Sequence, residues 1–332
     1  MPKSLAVAIL PLLLAAALAA QPPAPPAEPA VCDRACLEGF VNQYLDALVA
    51  HNAFGLPLAP KVKFTENDEA LDLGDGLWNT ASGPGTYKLY VSDPQSGQVG
   101  FFGTLRENGT PIALALRLKI DNRRISEIET VVLRANGPTN LGGATNLEQM
   151  GKPDAVFSET VPPAQRLSRD ALIKAANNYF EAIEKGDGAL GNFDKDCNRI
   201  ENGVQTTNNP SRPPSNPANN WNPSALGCAE QLNTKVFNYI QRIYPRRFLV
   251  VDEERQLVFG SFMFQHPGNI LSVEAPGHGI WRMPETATSP SFVDVAELFR
   301  IKDGKIRKIE ALMVRLPYGT PNPFFGEDWR RP

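Results

Sequence analysis

The 332-residue sequence predicts an α+β fold made of two diverged copies of one helix-plus-sheet unit. Three observations carry this reading. A local pattern recurs at a fixed offset, each copy opens with a helical period followed by short strand-like apolar runs, and the last two runs of each copy are separated by turn residues.

The recurrence is direct. Asn42-Gln43-Tyr44-Leu45-Asp46-Ala47-Leu48 matches Asn177-Asn178-Tyr179-Phe180-Glu181-Ala182-Ile183, with Tyr44 and Tyr179 lying 135 positions apart. Glu66-Asn67 falls on Glu201-Asn202 at the same spacing. Further on, Ile125 to Glu129 lies over Ile306 to Glu310 at an offset of 181, so the second copy holds about 46 extra residues. Two stretches offer room for them: the Asn/Pro-rich run from Thr206 to Trp221 and the Gly/Pro-rich run from His266 to Pro290.

Each copy begins with a helix. Phe40, Tyr44, Leu45 and Leu48 recur at helical spacing in the first, and Leu172, Ala176, Tyr179, Phe180 and Ile183 in the second. Ser168 suits an N-terminal cap and Gly186 a stop. Tyr87 to Val91, Val99 to Leu105, Ile112 to Ile120 and Ile125 to Leu133 have strand composition. Asp121-Asn122 and Asp303-Gly304 mark antiparallel hairpins. Helix first and meander after is an α+β order. Residues 32–136 and 167–320 are the expected domains, 137–166 a linker without sustained period, and 321–332 a C-terminal tail.

The N-terminus reads as a secretory signal over residues 1–19: Lys3 is the positive start, Leu5 to Leu18 the apolar stretch, and Ala17-Leu18-Ala19 the cleavage pattern. Residues 20–31 form a Pro/Ala-rich flexible lead. The expected location is therefore secreted or periplasmic, with no membrane attachment after cleavage. Export makes the even cysteine count a disulfide signal. Of three pairings, Cys32 with Cys36 and Cys197 with Cys228 are preferred as the local ones. Neither spacing matches the paired knuckles of structural zinc. A net charge of -3 without a basic cluster argues against nucleic acid.

The helix, the tokens Phe64-Thr65-Glu66-Asn67 and Cys197-Asn198-Arg199-Ile200-Glu201-Asn202-Gly203, and the closing hairpins together resemble the nuclear transport factor 2-like superfamily, and within it the SnoaL-like proteins. The resemblance implies two cones, each a curved antiparallel sheet closed by a helix, joined as an internal pseudo-dimer within a monomeric chain. It includes isomerases, dehydratases, cyclases and binding domains, so it leaves the reaction open.

A carboxylate inside an apolar cone is a candidate general acid or base. Glu201 is the leading one. Arg199, two residues earlier on the same strand face, would tune it or bind an anion. A structural ion pair fixing the sheet is the competing reading. The first copy has Phe64 in place of Arg199, so the second is the expected functional half. His266, where a strand meets a loop, is a candidate second proton-transfer group, and Tyr179 would add a hydroxyl if its helix turns it inward. Asn202, Gln205, Trp221, His278, Trp281, Glu66 and Asn67 are the candidate ligand contacts. His51 at the end of the first helix suits a structural role.

Serine-hydrolase, nucleotide-binding and zinc-protease motifs are absent from the sequence. The expectation is an exported enzyme acting on a small apolar molecule by proton transfer without a cofactor or metal: a dehydratase, isomerase, cyclase or related lyase. A non-catalytic exported small-molecule-binding or protein-interaction protein is the alternative.

Overall fold

The computed structural model describes Met1 and residues 32–134, 142–214 and 221–325. The expected signal and lead-in, the start of the linker and the end of the tail lie outside the described residues.

The first half opens with α1 (Arg34–Val49), capped by Asp33, whose carboxylate accepts from the Cys36 amide at 2.9 Å. Leu37, Phe40, Val41, Tyr44, Leu45 and Leu48 form its buried face. Six strands follow: β1 (Leu58–Glu66), β2 (Glu69–Leu71), β3 (Ala81–Asp93), β4 (Gln98–Glu107), β5 (Thr110–Asp121) and β6 (Arg124–Leu133). They form one sheet in the order β2-β1-β6-β5-β4-β3. α2 (Ala144–Met150) then leads to the second half.

The second half repeats the plan. α3 (Arg169–Lys185) is capped by Ser168 and closed by Gly186 in the left-handed conformation. After it come β7 (Phe193–Glu201), β8 (Val204–Gln205), α4 (Cys228–Asn233), β9 (Arg242–Asp252), β10 (Leu257–His266), β11 (Ser272–Ala275), β12 (Gly279–Arg282), β13 (Ser291–Lys302) and β14 (Lys305–Pro317). The sheet order β8-β7-β14-β13-β10-β9 matches the first, while β11 and β12 pair separately.

Several features go beyond the sequence reading. Each sheet is mixed rather than antiparallel, because the leading strand runs parallel to the last: β1 beside β6 and β7 beside β14. The first meander strand runs opposite to the leading strand, and the three reversals that follow bring the last strand alongside the leading one in the same direction. The linker is not featureless, since Ala144, Leu147 and Phe157 are buried and Glu148 pairs with Arg106 at 2.7 Å. The first insertion does not stop at Trp221: α4 and the chain up to β9 belong to it, and the β11–β12 hairpin is the second. Asp194 and Asp196 lie within β7, paired with Arg307 at 3.2 and 2.9 Å.

The second hairpin turn falls on the expected Asp303-Gly304, and the first falls one residue beyond the expected Asp121-Asn122. Asn122 and Arg123 have φ of 51° and 57°, and Asp303 and Gly304 have 51° and 74°, the left-handed pair that a tight hairpin requires.

Burial falls into three main layers. One core lies between α1 and its sheet, including Tyr44, Phe64, Trp78 and Phe101. Another lies under α3, where Phe180 meets Phe262, Phe299, Phe248 and Phe264 at ring separations from 4.3 to 6.1 Å. Between the two sheets Phe102, Val131, Leu133, Phe259, Leu298 and Leu312 form the third. Inside that layer the Tyr87 hydroxyl donates to both carboxyl oxygens of Glu310, at 2.8 and 2.9 Å. Disulfides join Cys32 to Cys36 and Cys197 to Cys228.

Candidate functional site

β7 sets the site. Strand alternation places Arg199 and Glu201 on the same face, the one covered by α3. Arg199 Nε stands 3.3 Å from Glu201 Oε1. The same guanidinium donates to the Thr206 hydroxyl at 3.2 Å, to the Tyr179 hydroxyl at 3.3 Å and to Gln231 Oε1, and it lies 4.9 Å over the Phe237 ring. Burial opposes its charge, but Glu201 and Tyr179 outweigh that cost and hold its pKa above the ordinary value. The Cys197–Cys228 bridge ties this strand to α4, which carries Gln231.

Above the pair opens a cavity of about 260 Å³. Arg199, Glu201, Arg212, Gln231, Tyr239, His266, Trp281, Met313 and Arg315 are among its lining residues. The insertions supply Arg212, Gln231, Tyr239 and Trp281, so the extra chain of the second half is what roofs the cone.

His266 is 7% exposed, and neither ring nitrogen has a hydrogen-bond partner among the described residues. Burial, with the Arg315 charge beside it, depresses its pKa to about 3, so the imidazole is neutral across ordinary pH. Its ring meets Tyr239 edge to face at 5.0 Å. Burial and then Glu201 push the Tyr239 hydroxyl up to about 12.

The other candidates scatter. Tyr179 is buried inside the cone, but it stands behind Arg199 and outside the cavity lining, where it positions the guanidinium. Trp281 lines the cavity. Trp221 and His278 stack on each other at 4.1 Å, and Trp221 meets Trp281 at 5.3 Å, so they back the roof instead of lining it. Gln205 is spent on the loop, donating to Asn198 Oδ1 and to the carbonyls of Thr207 and Asn208.

Asn67 and Asn202 lie outside the lining of this cavity. Both have positive φ, 51° and 48°, and both occupy a tight turn after the strand. Asn202 exchanges two hydrogen bonds with the Met313 backbone, and Asn67 does the same with Val132. Each amide thus continues the sheet by one rung where the backbone has turned away. Glu66 is also structural: it accepts from the Leu77 amide at 2.7 Å and pairs with Arg134 at 2.9 Å, next to the buried Leu77 and Trp78. His51 sets its Nδ1 against the Trp78 carbonyl.

Three groups escaped the sequence reading. Glu297, on β13, shares a cross-strand row with Ala311 and Glu201. It is 2% exposed, and burial followed by repulsion from Glu201 raises its pKa to about 8. Arg315 and Arg212 are the others. Acidic and basic residues inside the apolar runs around Val295 and Val314 were the available signal.

Residues 165–313 match the family model described as a domain of unknown function (DUF8021). Each half has the same order of a leading helix and a six-stranded mixed sheet. Three solved structures are similar to part of the chain. A Bacillus subtilis protein named as an isomerase has 9% identity and a TM-score of 0.27, covering 43% of this chain and 86% of its own. A SnoaL-like polyketide cyclase from Shewanella denitrificans OS-217 has 11% identity and 0.26, covering 44% and 91%. LinA has 13% identity and 0.26, covering 46% and 89%. No curated protein matches the sequence.

Proposed function

We propose that the second half is an exported, cofactor-independent acid/base enzyme for a small, largely apolar molecule, of the dehydratase, isomerase, cyclase or related lyase kind. The observation that carries this is the convergence of Glu201 and His266 on one cavity roofed by aromatic side chains. Two titratable groups facing one partly open cavity exceed what a stabilising ion pair needs.

In this reading Glu201 takes a proton from the bound molecule while Arg199 fixes the carboxylate's orientation. A histidine held neutral is a weak proton acceptor, so His266 acts instead as a hydrogen-bond donor to oxygen that gains charge. The proton on Glu201 then returns at a second position, giving an isomer, or departs with a hydroxyl as water. Tyr179 keeps Arg199 in place. Glu297 lies behind and helps define the field at Glu201.

The two disulfides support a working place outside the reducing cytosol, and no helix among the described residues is long and apolar enough to cross a membrane.

The test is solvent deuterium exchange into a panel of small ketones, alcohols and enol-forming compounds, with wild type and Glu201→Gln compared. Catalysed exchange that the variant loses while keeping its fold supports the enzyme. The second reading, a binding protein, is favoured by the same weakly basic His266. Ligand retention with no exchange in either protein would establish it.

A further inference from the structure

The described lining of the cavity contains three guanidinium groups, Arg199, Arg212 and Arg315, and one carboxylate, Glu201. The chain as a whole has a net charge of -3, so this excess of positive charge is local to the cavity. Arg199 is matched by Glu201. Arg212 makes a hydrogen bond to the Ser224 hydroxyl at 2.9 Å and has no acidic partner among the described residues. The Arg315 guanidinium makes no hydrogen bond or ion pair with any described residue, although β14 holds it partly buried against the cavity.

Stripping water from a cation without supplying a counter-charge is costly, and it is tolerated where an anion completes the site. His266 points the same way. Nine-tenths buried beside Arg315, it has two ring nitrogens without partners, one of which carries a proton available to an acceptor in the cavity. The Arg315 fork and the His266 N–H together suit two oxygens on one small planar group. Around them Phe237, Trp281, Val293 and Met313 offer apolar contact. A cavity of roughly 150 Å³ takes benzene, so the space of about 260 Å³ admits a ring with a short side chain.

We propose that this cavity binds an organic carboxylate with an apolar, ring-sized body, its carboxylate held by Arg315 with His266 as second donor. The proposal rests on the cavity being the ligand site, and it does not depend on proton transfer by Glu201.

The probes are benzoate, phenylacetate and 3-phenylpropionate, each compared with its amide and with phenyl phosphate. Calorimetric titration uses the full mature protein, wild type, Arg315→Met and Arg315→Lys. At least one carboxylate should bind tenfold or more tightly than its amide, and its affinity should fall as salt is raised. Arg315→Met should lose tenfold or more, and Arg315→Lys should recover part of that loss, with circular dichroism unchanged in both. Equal binding of acid and amide, tighter binding of phenyl phosphate, indifference to Arg315→Met, or no carboxylate binding at all overturns the proposal. Carboxylate binding that needs Arg315, alongside exchange chemistry indifferent to Glu201→Gln, would leave this inference standing and remove the catalytic one.

Discussion

Arg34 donates to both carboxyl oxygens of Asp252 at 2.6 and 2.9 Å, and Arg169, at the corresponding position of the second repeat, reaches Asp93 of the first at 2.6 Å. Each half's leading helix therefore begins with an arginine that crosses to the aspartate ending the other half's third strand. The two aspartate side chains are each 1% exposed. Removing a partner from a buried pair leaves a stranded charge. Arg34→Met and Arg169→Met should each lower stability by about 3 kcal/mol in urea unfolding. Losses below about 1 kcal/mol in both would show that the crossing contacts are incidental.

Glu297 and His266 bracket the pH range of stability from opposite sides. Glu297, raised to about 8, contributes stability that is complete below its unfolded value near 4.5 and is lost as pH climbs through 8. His266, depressed to about 3, contributes stability present above its unfolded value near 6.5 and lost as pH falls toward 3. Glu310, raised to about 7 by burial, adds to the alkaline loss. Unfolding free energy should peak at mildly acidic pH. Glu297→Gln should flatten the alkaline limb and leave the acid limb unchanged, and an unaltered alkaline slope in that variant contradicts the assignment.

Phe180 is fully buried among four rings under α3. Phe180→Ala should cost about 3 to 5 kcal/mol, the range for a large core truncation. The corresponding residue of the first copy is Leu45, and Leu45→Ala should cost less, about 2 to 3 kcal/mol, because fewer atoms leave the core. Thermal and urea unfolding of the two variants ranks them.

Asn202→Gly keeps the positive φ and deletes the two hydrogen bonds to Met313, whereas Asn202→Ala adds backbone strain to that deletion. The alanine variant should be the less stable by about 1 kcal/mol, with both below wild type. The same order should hold at Asn67. A loss of ligand binding without loss of stability would restore Asn202 to the site.

Selective removal of Cys197 and Cys228 should cost about 3 to 4 kcal/mol by the loop-entropy model. It should also weaken ligand binding, because Gln231 would no longer be clamped near Arg199. Removing the shorter Cys32–Cys36 loop should cost about 2 kcal/mol and leave binding unchanged.

Local signals explain what could be read in advance. Helical period, the Ser168 cap, the Gly186 stop and the hairpin turns are encoded within a few residues of where they act. Glu201 and Arg199 were legible because strand alternation links residues two apart. Glu297 was not, since its neighbour Glu201 lies two strands away and nearly a hundred positions earlier in the chain. Arg315 required knowing that no acid reaches it. The turn position of Asn202 has a visible cue: Asn202-Gly203 is a turn dipeptide, and a turn ends the alternation of the strand before it.

The reciprocal grip of Arg34 and Arg169 is the kind of contact a two-fold assembly makes, yet Phe64 stands where its counterpart is Arg199. In a pair of identical chains every substitution appears twice, so a buried arginine must be accommodated in both copies. Fusing the copies into one chain removes that obligation. One half can specialise while the other keeps the framework, and dilution never separates them.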